Sequence, residues 1–182
     1  MRLFIGIQIP QNIRASIYAQ SMRMQQLASG KYVREDMYHI TLAYIGESDE
    51  AMKLLAIECM KSAAQHACNV ILSPGIPGYF GKPEKSILHL TVDGGNSLTP
   101  VSDELRRQLS AANLPYDPKP LVPHITLARN VAVTDALLSE IYEHVPFVAS
   151  GLTLFNSCRI DDKLCYVPLE FISFKGASDY EA

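Results

Sequence analysis

Short stretches of alternating apolar and polar residues recur along this chain, and they predict β-strands because side chains alternate faces along a strand. The predicted strands cover 2–9, 38–45, 70–72, 87–92, 124–127, 147–154, 155–160, 164–169 and 171–175. Stretches with helical spacing of apolar residues lie between them. The predicted helices cover 11–28, a segment capped by Ser48, a segment that starts at Thr99 and Pro100, and 134–144. This mixture predicts an α+β fold.

Proline, glycine and aspartate mark the predicted connections. The segments GIPGYFGKPEK at 75–85 and 113–120 are rich in proline or glycine, and we expect both to be loops. Asp161, Asp162 and Lys163 are expected to form a turn between two late strands.

One tetrapeptide, His-Ile-Thr-Leu, occurs at 39–42 and again at 124–127. With five histidines in the chain, a chance match of this kind is expected on the order of once in several hundred such sequences at average residue usage. We call these two tetrapeptides the cassettes. Their repetition predicts a single site that uses two histidines.

Alternation along a strand gives each cassette a polar and an apolar face. His39 and Thr41 share one face, whereas Ile40 and Leu42 point to the other. The same separation is expected in the second cassette, where His124 and Thr126 are the polar pair. We therefore expect the aliphatic residues to be buried and the imidazoles and hydroxyls to be presented on rigid strands.

Two imidazoles and two hydroxyls suit the cleavage of a phosphodiester. One histidine can remove a proton from the attacking oxygen while the other donates a proton to the leaving oxygen. The hydroxyls can hydrogen-bond the phosphate oxygens on which charge develops. This scheme needs no metal and no cofactor. For a lone His-x-Thr the better explanation is a half-buried structural histidine, but the matched pair favours chemistry.

The two segments HITLAYIGE and PHITLAR resemble the paired signatures of the two-histidine (2H) phosphoesterases, specifically the LigT-like RNA 2',3'-cyclic phosphodiesterases. The opening RLFIGIQIP and the late segment LTLFNSCRIDDKLCYVPL are also similar to that family. The resemblance implies a two-lobed fold with pseudo-twofold symmetry and one cassette strand from each lobe facing a central cleft. It also implies metal-independent opening of a 2',3'-cyclic phosphate to a 2'-phosphate.

The family's functional residues map onto this chain one by one. The resemblance implies that His39 and His124 are catalytic, and that Thr41, Thr126 and Arg129 bind the substrate phosphate. Strict alternation would place Arg129 on the face opposite His124, so this role requires a bulge, a strand end or a long reach.

The chain departs from the family pattern in having no tryptophan. Relatives often place a tryptophan or another aromatic residue in the region of 86–92. Tyr44 and Phe80 are candidates for stacking on a base in its place, because aromatic faces stack on bases with little sequence preference. Ordinary core or loop packing is the alternative for each.

Length and composition narrow the interpretation further. The 182 residues are 48% hydrophobic, enough to bury a substantial core, and no linker divides them. We expect residues 1–182 to form a single domain of two intimately packed lobes. The net charge of −3 argues against a broad contact with long nucleic-acid duplexes but is compatible with recognition of an RNA end.

The remaining features favour a reduced, cytoplasmic protein. The four cysteines lack CxxC spacing, so we expect free thiols and neither disulfides nor a metal cluster. The apolar run at 3–9 is short and is interrupted by Pro10, so neither a leader nor a membrane span is predicted. No obligate protein partner is evident. His66, His89 and His144 have no motif partner and are interpreted as structural.

Two classes of function remain open at this stage. The leading hypothesis is a phosphodiesterase that acts on RNA ends or small nucleotides with a 2',3'-cyclic phosphate, with 2'-5' RNA ligation as the reverse reaction. A related 2H enzyme that acts on 2'-5' oligonucleotides or on an ADP-ribose cyclic phosphate is the neighbouring alternative. The other class is a non-catalytic module that binds a phosphorylated RNA end, and its affinity would survive the loss of one imidazole.

Overall fold

Two antiparallel β-sheets and the helices packed on them make up the computed structural model of the protein, which describes residues 1–141 and 144–175. The strands are β1 (Arg2–Gln8), β2 (Lys31–Tyr32), β3 (His39–Glu47), β4 (Val70–Lys82), β5 (Lys85–Asp93), β6 (His124–Val131), β7 (Phe147–Ala149), β8 (Gly151–Ile160) and β9 (Lys163–Ser173). The helices are α1 (Gln11–Leu27), α2 (Glu50–Ala64), α3 (Thr99–Ala111) and α4 (Asp135–Leu138). The α+β prediction is confirmed.

The strand order of the two sheets reveals an internal duplication. The four-stranded sheet has the order β3-β1-β8-β9, and the five-stranded sheet has the order β2-β6-β5-β4-β7. Apart from the two-residue β2, the succession of strand, helix, cassette strand and helix appears first as β1-α1-β3-α2 and again as β5-α3-β6-α4. Each cassette strand is paired with the first strand of its own repeat. One cassette therefore belongs to each sheet.

The core is built from the apolar faces of both sheets. Ile40, Leu42, Ile125 and Leu127 are each at most 1% exposed, and all four belong to one hydrophobic cluster. Full burial of an aliphatic side chain stabilises the fold by about 1.5–3 kcal/mol. The predicted separation of faces in the cassettes is thus confirmed, and it fixes the direction in which the polar residues point.

Two predicted helix caps are wrong, although the helices are present. The cap of α2 is Asp49, whose side chain accepts a hydrogen bond from the backbone N–H of Met52 at 2.8 Å; Ser48 instead donates its hydroxyl to the carbonyl of Gly46. Thr99 lies inside α3, which is preceded by a 3-10 turn. Because the chain enters α3 already in a helical conformation, Leu98 occupies the cap position without a side-chain hydrogen bond.

The proline-rich segment at 75–85 is a strand for most of its length, not the predicted loop. β4 continues to Lys82 and pairs with β5, which begins at Lys85. Its prolines are tolerated because the pairing with β5 is irregular between Pro74 and Pro77 and because β7 pairs only with the first residues of β4. The predicted break between 164–169 and 171–175 is also absent, since Pro168 lies at a register shift on the edge strand β9.

Two further boundaries differ from the prediction. The sequence predicts one strand over 147–154 and the next over 155–160. The two observed strands are instead separated at Ser150, where the chain leaves β7 in one sheet and enters β8 in the other. The helix expected over 134–144 begins correctly, since the Thr134 hydroxyl accepts from the N–H of Leu137, but α4 ends at Leu138. Ile141 is 85% exposed, so the next turn would have no core to pack on. Residues 142–143 lie outside the described residues.

Candidate active site

The two histidines are each the first residue of a cassette strand, and each is oriented by a backbone carbonyl two residues earlier. His39 Nδ1 lies 2.7 Å from the carbonyl oxygen of Met37, and His124 Nδ1 lies 2.7 Å from that of Val122. A carbonyl oxygen only accepts, so Nδ1 carries the proton in both rings. In the neutral form, each imidazole therefore has its lone pair on Nε2, where it can take a proton.

The threonine of each cassette lies beside its histidine on the same face. The Nε2 of His39 is 3.0 Å from the Oγ1 of Thr41, so this hydroxyl donates to the neutral ring. Thr126 shares a cavity with Thr41 and both histidines. The structure thus brings together the four polar cassette residues that the sequence predicts.

A bulge at the same place in both cassette strands changes which residues face the cavity. Opposite β1, Thr41 pairs with Gly6 and Ala43 pairs with Ile5, so Leu42 has no partner of its own. β6 has the same irregularity opposite β5, with an unpartnered Leu127. A bulge shifts the alternation by one residue. Tyr44 and Arg129, each five residues after a cassette histidine, consequently return to the side of the histidines and line the cavity.

The cavity between the two cassette strands has a volume of about 170 Å³. Its walls combine the cassette residues with side chains from β1, β8, β9 and the segment before β3. The lining residues are Phe4, Val33, Met37, His39, Thr41, Tyr44, His124, Thr126, Arg129, Ser157 and Tyr166. Hydroxyls, imidazoles and one guanidinium converge here, which is a donor set suited to a phosphate group.

Aromatic side chains surround the first histidine. The ring of Phe4 lies 4.8 Å from that of His39, and the ring of Tyr166 meets it edge-on at 5.0 Å. Phe155 completes this wall, 5.9 Å from His39 and stacked on Phe4. These three aromatic rings pack around His39 and limit the orientations that its imidazole can take.

The second histidine has a different neighbourhood, which contains a third imidazole. His89 on β5 contacts His124 at a ring distance of 5.4 Å and stacks on Phe80 at 4.1 Å. Phe80 in turn meets His124 edge-on at 4.9 Å. His89 is 5% exposed. Its position against His124 depends on strand pairing and has no signature in the sequence.

Burial dominates the electrostatics of the imidazoles. The pKa of His39 is lowered to about 4, chiefly by burial, while the hydrogen bond to the Met37 carbonyl opposes this shift and His124 and Arg129 add smaller contributions in the same direction as burial. Burial also lowers the pKa of His124, again with a contribution from Arg129. Both rings are therefore neutral at pH 7 in the free protein. A bound phosphate anion would favour their protonation.

A larger groove of about 660 Å³ adjoins this cavity and shares Thr41, Tyr44 and His124 with it. Its walls are strands β3 and β5, Phe80 of β4, helix α3 and the loop that precedes β6. Tyr44 and Phe80 both line it, so both candidates for base stacking lie next to the predicted site. Phe80 reaches the groove from a strand, not from the predicted loop.

Five cavity residues were not predicted from the sequence. Two of them, Val33 and Met37, lie in the segment before β3. Phe4, Ser157 and Tyr166 belong to strands β1, β8 and β9, and each is half-buried or buried. They lie in segments that resemble the family, but nothing in their local pattern distinguishes them from ordinary strand residues. Phe4, Ser157 and Tyr166 come to the cavity only through the pairing of β1 with both β3 and β8 and of β8 with β9.

Two features are absent from residues 1–141 and 144–175, the part of the chain that the structure describes. No three His, Cys, Asp or Glu side chains are grouped as a metal site would require. No helix is long and apolar enough to cross a membrane. The four cysteines are present as free thiols.

A fold of two antiparallel sheets, each presenting a His-x-Thr cassette to one cavity, defines the class of the two-histidine phosphoesterases. The family model of the 2'-5' RNA ligase superfamily matches residues 9–161. The chain belongs to this superfamily, and the resemblance identified from the two cassettes is confirmed.

Similar proteins come from several bacteria. The chain is 27% identical over 152 residues to the RNA 2',3'-cyclic phosphodiesterase of Bacillus subtilis, an alignment that covers 83% of this chain and 81% of that protein. It is 28% identical over 186 residues to the protein of the same name from Thermus thermophilus, with 97% and 91% of the two chains covered.

Solved structures show the same fold. The crystal structure of Escherichia coli LigT complexed with 3'-AMP matches with a TM-score of 0.81 at 22% identity, covering 96% of this chain and 98% of LigT. A crystal structure from Thermus thermophilus matches equally well, with a TM-score of 0.81 at 22% identity over 97% of this chain and 99% of that chain. The likeness extends over almost the entire chain.

Proposed function

We propose that this protein hydrolyses the 2',3'-cyclic phosphate of RNA ends or of small nucleotides to a 2'-phosphate. The observation that carries the proposal is the matched arrangement of the two histidines. Each ring donates Nδ1–H to a backbone carbonyl and shares one cavity with both cassette threonines and Arg129. The names of the Bacillus and Thermus relatives support this choice of reaction.

His39 and His124 transfer the protons in the proposed reaction. The neutral imidazole takes a proton from water as the water oxygen bonds to phosphorus. The protonated imidazole donates its proton to the 3'-oxygen as the P–O3' bond breaks, which leaves the phosphate on the 2'-oxygen. One ring must be neutral and the other protonated at the start. The two rings exchange roles in the reverse direction.

Thr41, Thr126 and Arg129 stabilise the phosphate oxygens in this scheme. Negative charge accumulates on the non-bridging oxygens as phosphorus becomes pentacoordinate, and donors already in position stabilise that charge. Arg129 adds a fixed positive charge that the threonines lack. The bulge in β6 places its guanidinium on the same side as His124 and Thr126.

The groove beside the cavity accommodates the nucleoside in the proposed complex. Its volume of about 660 Å³ is within the range of sites that bind small organic ligands. Tyr44 and Phe80 provide the aromatic surfaces on which the base stacks. Phe80 is held in place from behind by its stack on His89.

RNA with a cyclic-phosphate end is the proposed partner, and 2'-5' ligation is the proposed reverse reaction. The 2'-5' RNA ligase superfamily takes its name from this joining reaction. If a 5'-hydroxyl replaces water as the nucleophile, the same two proton transfers join two strands. No additional group is needed at the site.

A substrate panel tests the proposal. The protein is incubated in EDTA with 2',3'-cyclic nucleotides, RNA with a 2',3'-cyclic end, a 2'-5' linked dinucleotide and an ADP-ribose cyclic phosphate, and the products are separated by isomer. We expect cleavage of the first two substrates and 2'-phosphates as the only products. Turnover restricted to either of the other substrates, or binding of cyclic ends without turnover, would contradict the proposal.

A further inference from the structure

The groove that adjoins the catalytic cavity has a polar wall as well as an aromatic one. The polar wall is formed by Asp117 and Lys119, in the loop before β6. The base-stacking candidates Tyr44 and Phe80 line the same groove. A base stacked on these rings would turn its edge toward groups at the side of the groove.

The loop that carries Asp117 is anchored at several points. The backbone N–H of Asp117 donates to the carbonyl of Tyr44 at 3.0 Å. Arg106 of α3 donates to the carbonyl of Lys119 at 2.7 Å and also approaches the carbonyl of Leu42 at 3.4 Å. The loop is therefore tied both to the cassette strand β3 and to α3. Asp117 is held directly beside one of the two aromatic residues.

Asp117 and Lys119 together present acceptors and a donor to the groove. The Asp117 carboxylate accepts from the backbone N–H of Lys119 at 3.1 Å and from its ammonium at 3.3 Å. Its side chain remains 43% exposed, and each carboxylate oxygen can accept further hydrogen bonds. The hydrogen bonds from Lys119 keep the pKa of Asp117 below its usual value, so the group is a carboxylate at neutral pH.

We propose that Asp117 and Lys119 read the base of the substrate and give the enzyme a preference for guanine, an inference that rests on the proposed function. The Watson–Crick edge of guanine has two neighbouring donors, N1–H and the N2 amino group, beside the acceptor O6. A carboxylate accepts from both donors, and the Lys119 ammonium donates to O6. Adenine and cytosine offer one amino group each, and uracil places carbonyl oxygens on both sides of a single N–H.

The test measures kcat/KM for the 2',3'-cyclic phosphates of guanosine, adenosine, cytidine and uridine. We expect the parent protein to prefer guanosine to uridine by about tenfold, which corresponds to one hydrogen bond of roughly 1.4 kcal/mol. Asp117→Ala should bring this ratio close to one, and Asp117→Asn should reduce it severalfold. Asp103→Asn, an exposed residue on the outer face of α3, is the control and should leave all four constants unchanged.

Lys119→Met removes the ammonium that is proposed to donate to O6 of guanine. It keeps the backbone N–H that donates to Asp117 and supports the loop, so it separates the two roles. It should lower kcat/KM for guanosine more than for cytidine. If the parent shows no preference for guanosine, or if the Asp117 variants lower all four constants by the same factor, the inference is wrong and Asp117 only supports the loop.

Failure of the proposed function gives a different result. In that case the parent turns over none of the four cyclic nucleotides. Binding of guanosine 2'-phosphate and of uridine 2'-phosphate then tests the base preference by calorimetry without any need for catalysis. Tighter binding of the guanosine compound that Asp117→Ala removes would support the inference, and equal binding of both compounds would refute it.

Discussion

At the scale of single residues, the catalytic histidines of the proposed mechanism are prepared by burial and by one backbone hydrogen bond each. Burial lowers the pKa of His39 to about 4 and also lowers the pKa of His124. The hydrogen bonds to Met37 and Val122 fix the tautomer. The two cassettes therefore differ in their surroundings but present the same atom, Nε2, for proton transfer.

The pH dependence of kcat/KM follows from these pKa values. The productive free enzyme has one neutral and one protonated ring, and it is most populated between the two pKa values. Because the pKa values of His39 and His124 both lie below the ordinary value of 6.5, we expect kcat/KM for a cyclic nucleotide to peak below pH 6.5.

The bound phosphate raises the pKa values of both histidines, so kcat should peak at a higher pH than kcat/KM. Stopped-time assays from pH 4 to 9 at constant ionic strength measure both profiles, and a kcat/KM maximum above pH 7.5 would be inconsistent with buried, neutral rings.

The cassette threonines are expected to act through their hydroxyls. Thr41→Val and Thr126→Val keep the shape of the side chain but remove a donor to the phosphate, so kcat should fall by about 10²–10³, as for loss of one donor to an oxyanion. Thr→Ser at either position keeps the hydroxyl and should retain most of the activity. Equal activity of the valine and serine variants would show that the hydroxyls have no catalytic role.

At the scale of elements, the matched bulges in β3 and β6 determine the composition of the site. Each bulge leaves a leucine unpartnered and turns the residue five positions after the histidine back toward the cavity. In β3 that residue is Tyr44, and in β6 it is Arg129. The duplicated strands thus contribute an aromatic ring on one side and a guanidinium on the other.

Gly6 allows β1 to approach the bulge in β3. A Cβ at this position would collide with the backbone carbonyl of Ile40, which cannot move without shifting the first cassette. We expect Gly6→Ala to destabilise the protein by about 1–3 kcal/mol, the range for overpacking in a core, and to lower activity together with stability. Urea unfolding monitored by circular dichroism gives the change, and an unaltered midpoint would mean that β1 has room to adjust.

Sequence patterns predicted some elements well and others poorly for identifiable reasons. The cassette strands and α1 have clear periodicity and are found where predicted. β4 and β9 contain prolines, which usually end strands, but both strands place them at register shifts or on open edges. The helix after Thr134 is short because Ile141 has no core to pack on. Pairing partners decide these cases, and a single sequence does not state them.

At the scale of the whole molecule, some residues of the candidate site could be predicted from the sequence, whereas others depend on how the strands pair. Repetition made the cassettes conspicuous, so His39 and His124 could be identified from the sequence alone. Tyr166 and His89 reach the site only through the pairing of strands that are distant in the sequence. Their contacts with the cassette histidines, Tyr166 with His39 and His89 with His124, can be described only from the assembled sheets.

Buried histidines should also make the whole molecule sensitive to acid. Burial lowers the pKa of His39 and of His89 to about 4, whereas the unfolded chain takes up protons near 6.5. The unfolded state binds more protons in this window, so the free energy of unfolding should fall as pH decreases from 6.5 toward 4. His89→Phe keeps a ring but removes one titrating group, and should reduce this slope by at most about 1.4 kcal/mol per pH unit.

Urea unfolding at pH 7.0, 6.0 and 5.0 measures this slope. His66→Phe, at an exposed residue just after α2, is the matched control for replacing an imidazole with a phenyl ring. A slope in His89→Phe equal to that of the parent would show that His89 does not remain neutral in the folded protein.

The central claim is that two histidines, one from each sheet, perform the reaction together. Its most direct test is the rate of hydrolysis of a 2',3'-cyclic nucleotide in excess EDTA by the parent protein and by His39→Ala, His124→Ala and the surface control His66→Ala. General acid–base catalysis typically contributes about 10²–10⁴ in rate. We therefore predict that each cassette variant loses at least a hundredfold in kcat while remaining folded, and that His66→Ala equals the parent. Full activity in either cassette variant, or loss of the parent's activity in EDTA, would contradict the account.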